Sequence, residues 1–246
     1  MKKPTLLLLH GWNWKNYSKF GNIDPWNNRL KFIQELEKIF DVYKVIFPGF
    51  CGVLEPNDSW NLDDFAGYVK KYMGDGNLYP DFVLGYSFGG AVAIRLKSSF
   101  GLNCPIILVS PAIIRAISHS NVHLSGFFKK IIPGFLVNFA REIYLSYVVD
   151  NPYYKHGTRF LKKTYLDIVR VDLSGELSMF PRGDFVCIFG SDDTATPPNL
   201  LLKKNKNSDA IKMIQIIDGG GHDIANTHTK ELINLINDFI RKKGGM

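Results

Sequence analysis

The chain has 246 residues, 46% of them hydrophobic, and a formal net charge of +7. That length supports one globular domain, or one domain carrying an insertion, with a core large enough to need no staples. Three scattered cysteines without zinc spacing argue against a disulfide framework or a structural metal. Lysines spread along the chain, with no dense basic block interleaved with aromatics, argue against nucleic-acid binding.

The start, Met1-Lys2-Lys3-Pro4-Thr5 and then four leucines, stops being apolar at His10-Gly11 and is followed by no small-residue cleavage site. A signal peptide is therefore not expected, nor is a membrane span, and a reducing cytoplasm is the expected location. Thr5 to Leu9 reads as a first buried strand ending at His10-Gly11-Trp12, and Asn13 to Asn28 as a loop. Leu30 to Phe40 has one apolar face at helical spacing, and Val42 to Phe47 is a second strand closed by Pro48-Gly49-Phe50-Cys51-Gly52. Asn61, with Asp63 and Asp64 behind it, caps a helix running to about Tyr72.

Next comes Phe82 to Leu84, an apolar block, then Gly85-Tyr86-Ser87-Phe88-Gly89, then helical spacing from Ala91 to Leu96. A serine between a strand and a helix needs a turn so tight that residues two positions away must lack Cβ atoms. Gly85 and Gly89 meet that need. The string alone is weak evidence, because a glycine-rich turn packing a helix on a sheet gives the same letters.

Pro105 to Val109, Phe185 to Phe189 and Ile211 to Ile217 read as three further strands, and Glu231 to Ile240 as a closing amphipathic helix. Strands alternating with helices predict an α/β fold, a mainly parallel sheet of about six strands flanked by helices. Residues 112 to 179 break the alternation and read as short helices, Phe127 to Ile132, Phe135 to Tyr147 and Thr158 to Val171. An insertion between two sheet strands has to sit over the carboxyl edge of the sheet, where ligands bind, so it is expected to be a helical cap, with 1–111 and 180–246 as the core.

Four features follow predicted strand ends: His10-Gly11-Trp12, Ser87, Asp193 and His222. Serine is a poor nucleophile at neutral pH and needs a base, for which His222 is the candidate. An imidazole in that role needs a carboxylate, which Asp192 or Asp193 can supply. Serine, acid and histidine also follow one another in the order this architecture uses.

With these pieces in hand, the chain resembles the α/β-hydrolase family over nearly its whole length. The likeness rests on Leu8-Leu9-His10-Gly11-Trp12, Pro48-Gly49-Phe50, Gly85 to Gly90, Gly190-Ser191-Asp192-Asp193 with Pro197, and Gly219-Gly220-Gly221-His222. The resemblance implies Ser87 as nucleophile, His222 as general base and acid, and Asp193 rather than Asp192 as the orienting acid. It also implies an oxyanion hole made by the backbone N–H groups of Trp12 and Phe88. His10 reads as structural, His119, His123 and His156 as surface or packing residues, and Cys51 as a bystander. Trp14, Phe50, Phe127, Phe135 and Tyr144 are candidate pocket residues, though a core role fits them as well.

The activity implied is hydrolysis of small or medium carboxylic esters through an acyl-enzyme. It involves no metal or cofactor, no nucleic acid and no stable membrane insertion, in a monomer or homodimer. Carbon–carbon bond hydrolysis of ring-cleavage products, acyl transfer, cofactor-free peroxidase activity or a ligand-receptor role would use the same scaffold.

Overall fold

Alternation along the strands divides the apolar residues between two cores, one on each face of a single sheet. In β1 (Thr5–Leu9), Leu7 and Leu9 face one core while Leu6 and Leu8 face the other, all four fully buried. The remaining strands are β2 (Asp41–Val45), β3 (Phe82–Tyr86), β4 (Ile106–Val109), β5 (Phe185–Gly190) and β6 (Ile214–Ile217). All neighbours pair in parallel, in the order β2-β1-β3-β4-β5-β6. Side chains buried on both faces explain why the central strands are continuous apolar runs rather than alternating ones. A computed structural model describes residues 2–114, 151–206 and 208–244 of the chain.

One face carries α2 (Leu62–Asp75) and α3 (Phe88–Ser99); the other carries α1 (Leu30–Ile39) and α9 (Thr229–Gly244). Asn61 caps α2 through a reciprocal pair. Its side chain accepts from the amides of Asp63 (2.7 Å) and Asp64 (3.2 Å), and the Asp64 carboxylate accepts from the Asn61 amide at 2.8 Å. Every residue of α3 from Phe88 to Ile94 is buried, because the helix lies between the sheet and α2. Such a helix has no polar face to show and is built from small residues.

Between β4 and β5 the described residues form α4 (Pro152–Lys155), α5 (Arg159–Ile168) and α6 (Ser174–Met179). Phe160, Leu161, Tyr165, Leu173 and Leu177 from this segment pack into the α2–α3 core. Thr164 Oγ1 accepts from the Trp60 amide at 2.9 Å, and Thr158 Oγ1 donates to Glu55 at 2.8 Å. The helices expected at 127–132 and 135–147, with Phe127, Phe135, Tyr144, His119 and His123, lie outside the described residues.

Several expected boundaries move. The last strand starts at Ile214 rather than Ile211, because Asp209–Met213 winds into a 3-10 turn capped by Ser208 Oγ on the Ala210 amide. The helix after Ser87 starts at Phe88 rather than Ala91, since Ser87 itself takes the cap position. Asn13 to Asn28 is not plain loop but carries three short 3-10 turns at Trp14–Asn16, Ser18–Phe20 and Asn27–Arg29. The remaining helices, α7 (Pro198–Lys204) and α8 (Ile224–Thr227), follow β5 and β6.

Candidate active site

The chain leaves β1 toward β2 on one side and returns to β3 on the other. The carboxyl ends of β1 and β3 therefore stand side by side, with Leu9 opposite Gly85. A crevice opens at such a reversal in any parallel sheet. Residues 10–12 and Ser87 lie on its two walls, and the segments after β5 and β6 bring Asp193 and His222 to the same edge.

Ser87 has φ 51° and ψ −113°, outside the regions that L residues favour. Three backbone hydrogen bonds hold it there: its amide donates to Val109 at 3.0 Å, and its carbonyl accepts from Gly90 (3.0 Å) and Ala112 (2.9 Å). A Cβ on Gly85 would run into the carbonyl of Gly89, and one on Gly89 would run into the carbonyl of Leu9. The two glycines are thus required by backbone approaching backbone, and the surroundings over-determine the strained serine.

His222 Nε2 lies 3.1 Å from Ser87 Oγ, and its Nδ1 lies 2.9 Å from Asp193 Oδ2. With a carboxylate at Nδ1, that nitrogen carries the ring hydrogen, leaving Nε2 to accept from the serine hydroxyl. Asp193 is buried, 3% exposed. Its Oδ1 accepts from the amides of Ala195 (2.9 Å) and Thr196 (2.8 Å), and its Oδ2 also accepts from Thr196 Oγ1 at 2.7 Å. Burial opposes the charged carboxylate, but the bonds from His222 and Thr196 outweigh it and hold Asp193 below its usual range. Asp192 is exposed and accepts instead from Ser191 Oγ at 2.9 Å. Thr196 escaped the sequence reading, although a carboxylate followed two and three residues on by free amides is a local turn signature.

Phe88 is the first residue of α3, directly after Ser87, and Gly11, beside Trp12, approaches Ser87 so closely that a Cβ there would sit 3.2 Å from the Ser87 Cβ. His10 stands behind this turn as a neutral, fully bonded ring. Its Nδ1 donates to the Gly11 carbonyl at 2.8 Å, and its Nε2 accepts from the Phe47 amide at 3.1 Å. Burial pushes its pKa down to about 4, with the Gly11 bond and Asp24 opposing the shift.

A cavity of about 300 Å³ opens over Ser87 and His222, lined by Gly11, Trp12, Asn13, Pro25, Arg29, Tyr86, Tyr153, Ala195 and Thr196 besides. Phe50 and Trp14, candidates for this lining, stand elsewhere. Phe50 is fully buried behind Trp12, ring centroids 5.0 Å apart, and Trp14 stacks on His156 at 4.4 Å. Arg29, Tyr86 and Tyr153 were not singled out in the sequence, because their approach depends on how loops distant in the chain fold together. No group of three or more His, Cys, Asp or Glu side chains able to hold a metal stands together among the described residues.

The arrangement is one in which a hydroxyl can pass its proton to an imidazole already oriented by a carboxylate. Comparison with solved structures finds the same fold in proteins of low sequence identity. A meta-cleavage product hydrolase from Pseudomonas fluorescens IP01 is 14% identical with a TM-score of 0.68, over 98% of this chain and 92% of that one. A putative lipase from Acinetobacter baumannii AYE is 16% identical with a TM-score of 0.65, over 98% and 84%. An esterase from Exiguobacterium antarcticum is 14% identical with a TM-score of 0.63, over 98% and 92%. At these identities the likeness carries the fold alone, and no curated protein matches the sequence. The family model described as "Alpha/beta hydrolase family" matches residues 6–234, so the chain belongs to that family.

Proposed function

We propose that this protein hydrolyses carboxylic esters, with Ser87 as nucleophile, His222 as general base and acid, and Asp193 as the group that orients His222. The observation that carries the reading is the unbroken hydrogen-bonded line from Asp193 through His222 to Ser87. Ser87 Oγ attacks the ester carbonyl while its proton passes to His222 Nε2. The negative charge on the carbonyl oxygen is met in this reading by the backbone amides of Trp12 and Phe88. The tetrahedral intermediate collapses, His222 gives its proton to the departing alkoxide, and an acyl-enzyme remains. Water then attacks the acyl carbon as His222 takes its proton, and the carboxylic acid leaves with Ser87 restored.

Residues 112–179 act in this reading as a cap over the site, and the substrates are esters of small or medium acyl and alcohol groups. The three thiols, none in a disulfide, suit an enzyme of the cytoplasm. Carbon–carbon bond hydrolysis of an anionic ring-cleavage product is the alternative, and it calls for a cation free to hold a carboxylate. Among the described residues Arg29 is the cation of the cavity lining, and each of its nitrogens already has a protein acceptor: Asp223, Asn28 and Tyr86. The ester reading therefore stands first.

Hydrolysis of nitrophenyl esters from acetate to decanoate, by wild type and Ser87→Ala, tests it. The expected result is turnover that Ser87→Ala reduces by about a thousandfold or more, highest on the shorter chains. Wild-type turnover that survives in Ser87→Ala, or no turnover on any ester, would overturn it.

A further inference from the structure

Tyr86, the residue between Gly85 and Ser87, points to the face of the sheet opposite α2 and α3 and is 3% exposed. Its hydroxyl lies 2.8 Å from the carbonyl of His222, with Asp223 Oδ1 as a second acceptor at 3.2 Å. A phenol has one hydrogen, so the shorter contact is the donated bond and its oxygen remains open to a donor. Arg29 fills that place. Its Nη2 donates to Tyr86 Oη at 3.1 Å, its Nε donates to Asp223 Oδ1 at 2.8 Å, and its guanidinium lies 4.2 Å from the centre of the Tyr86 ring. The guanidinium is thus bonded, paired and stacked, with three of its five N–H groups donated to Asp223, Asn28 and Tyr86.

The geometry points to a tether: Arg29 and Asp223 lock Tyr86, and Tyr86 positions His222 by its backbone from the strand that carries Ser87. The imidazole is also held through its ring, by Asp193, Ser87 and Thr196, on a segment that follows Gly219-Gly220-Gly221. That segment is tied to the loop after β5 by the Gly219 amide on Ser191 Oγ (2.9 Å) and the Asp192 amide on the Gly220 carbonyl (2.8 Å). Those bonds stop at Gly220, and three glycines in a row add no side chains to pack, so the tether supplies the hold at His222 itself. Tyr86 is a positioning residue here, since it acts through His222, and this function of the tether rests on the hydrolase reading above. A displacement of about 1 Å in such a base costs about a hundredfold in rate, which sets the scale of the effect.

Two readouts on Tyr86→Phe, Arg29→Met and their double variant separate the tether from the activity. The first is ester turnover: kcat should fall about 10- to 100-fold in each single variant with KM within about twofold, and the double should be no worse than the poorer single. The second is amide hydrogen exchange over residues 218–223, which should quicken in the variants while the protection of β3 and β4 stays as in wild type. Asp223→Asn, which keeps the side-chain shape, should quicken the same amides and guards against a variant that fails to fold. Unchanged exchange in Tyr86→Phe overturns the tether, as does a rise in KM with kcat unchanged, or additive effects of the two substitutions. If wild type lacks Ser87-dependent turnover, the hydrolase reading falls by itself, and the exchange data still decide whether the tether exists.

Discussion

Thr196 and His222 share a single acceptor: Thr196 Oγ1 stands 2.7 Å and His222 Nδ1 2.9 Å from the same oxygen of Asp193. The hydroxyl itself lies 3.3 Å from the ring nitrogen, so it closes a triangle around that oxygen. Two backbone amides hold the other oxygen, which leaves Thr196 as the group that fixes how the carboxylate is turned toward the ring. Thr196→Val keeps the volume and removes the donor. It should lower kcat for ester turnover about tenfold, the rate equivalent of one hydrogen bond to a charged group, while Thr196→Ser stays near wild type. Steady-state kinetics on the best nitrophenyl ester checks both.

His10 ties stability to pH. Its pKa in the folded protein is about 4, against an ordinary value of 6.5, because the buried ring resists a charge. Between those two values the unfolded chain binds a proton that the folded one does not. Stability is therefore fully present above pH 6.5 and is lost as the pH falls toward 4. At pH 5 the loss from this one residue is about 2 kcal/mol. His10→Gln, whose amide can both accept from Phe47 and donate to Gly11, should be less stable at pH 7 but lose less on acidification. Urea unfolding of both proteins at pH 7 and pH 5 measures the difference between the two slopes.

Two glycines make opposite predictions. Gly74, in α2, has nothing within 4 Å of where a Cβ would sit, so Gly74→Ala should stabilise by about 0.5 to 1 kcal/mol. Gly89→Ala would drive a methyl group into the backbone of β1 and should cost at least about 3 kcal/mol. Thermal melts of the pair provide the check.

The reciprocal cap on α2 gives a smaller, local effect. Asn61→Ala loses two accepted bonds at the first turn and should cost about 1 kcal/mol with no change in turnover. Denaturant midpoints alongside nitrophenyl ester rates would reveal any coupling to the site.

The residues proposed to carry the chemistry were legible because their positions are marked locally: a serine flanked by glycines, and a histidine after three glycines at a strand end. The parallel sheet was legible because strands buried on both faces leave long apolar runs. Ile211 to Met213 looked like strand because the residues are apolar enough for one, while the turn that takes them is set by Ser208 and tertiary packing. Arg29 reads in sequence as an ordinary charge near a helix start. Its stack on Tyr86 and its bond to Asp223 join positions 57 and 194 apart, which no local pattern encodes. Phe50 has the composition of a pocket residue, but its ring is spent supporting Trp12 from behind.

The parallel sheet also has a kinetic consequence. Ser87 and His222 are 135 positions apart, and β4, β5 and β6 stand in that order between the strand that carries Ser87 and the segment that carries His222. Parallel pairing closes long loops before it returns any energy, so this is a slow assembly dominated by distant contacts. His222 follows the outermost strand, so the serine turn is expected to form before its proposed partner is in place. Refolding should therefore restore fluorescence and compactness ahead of activity.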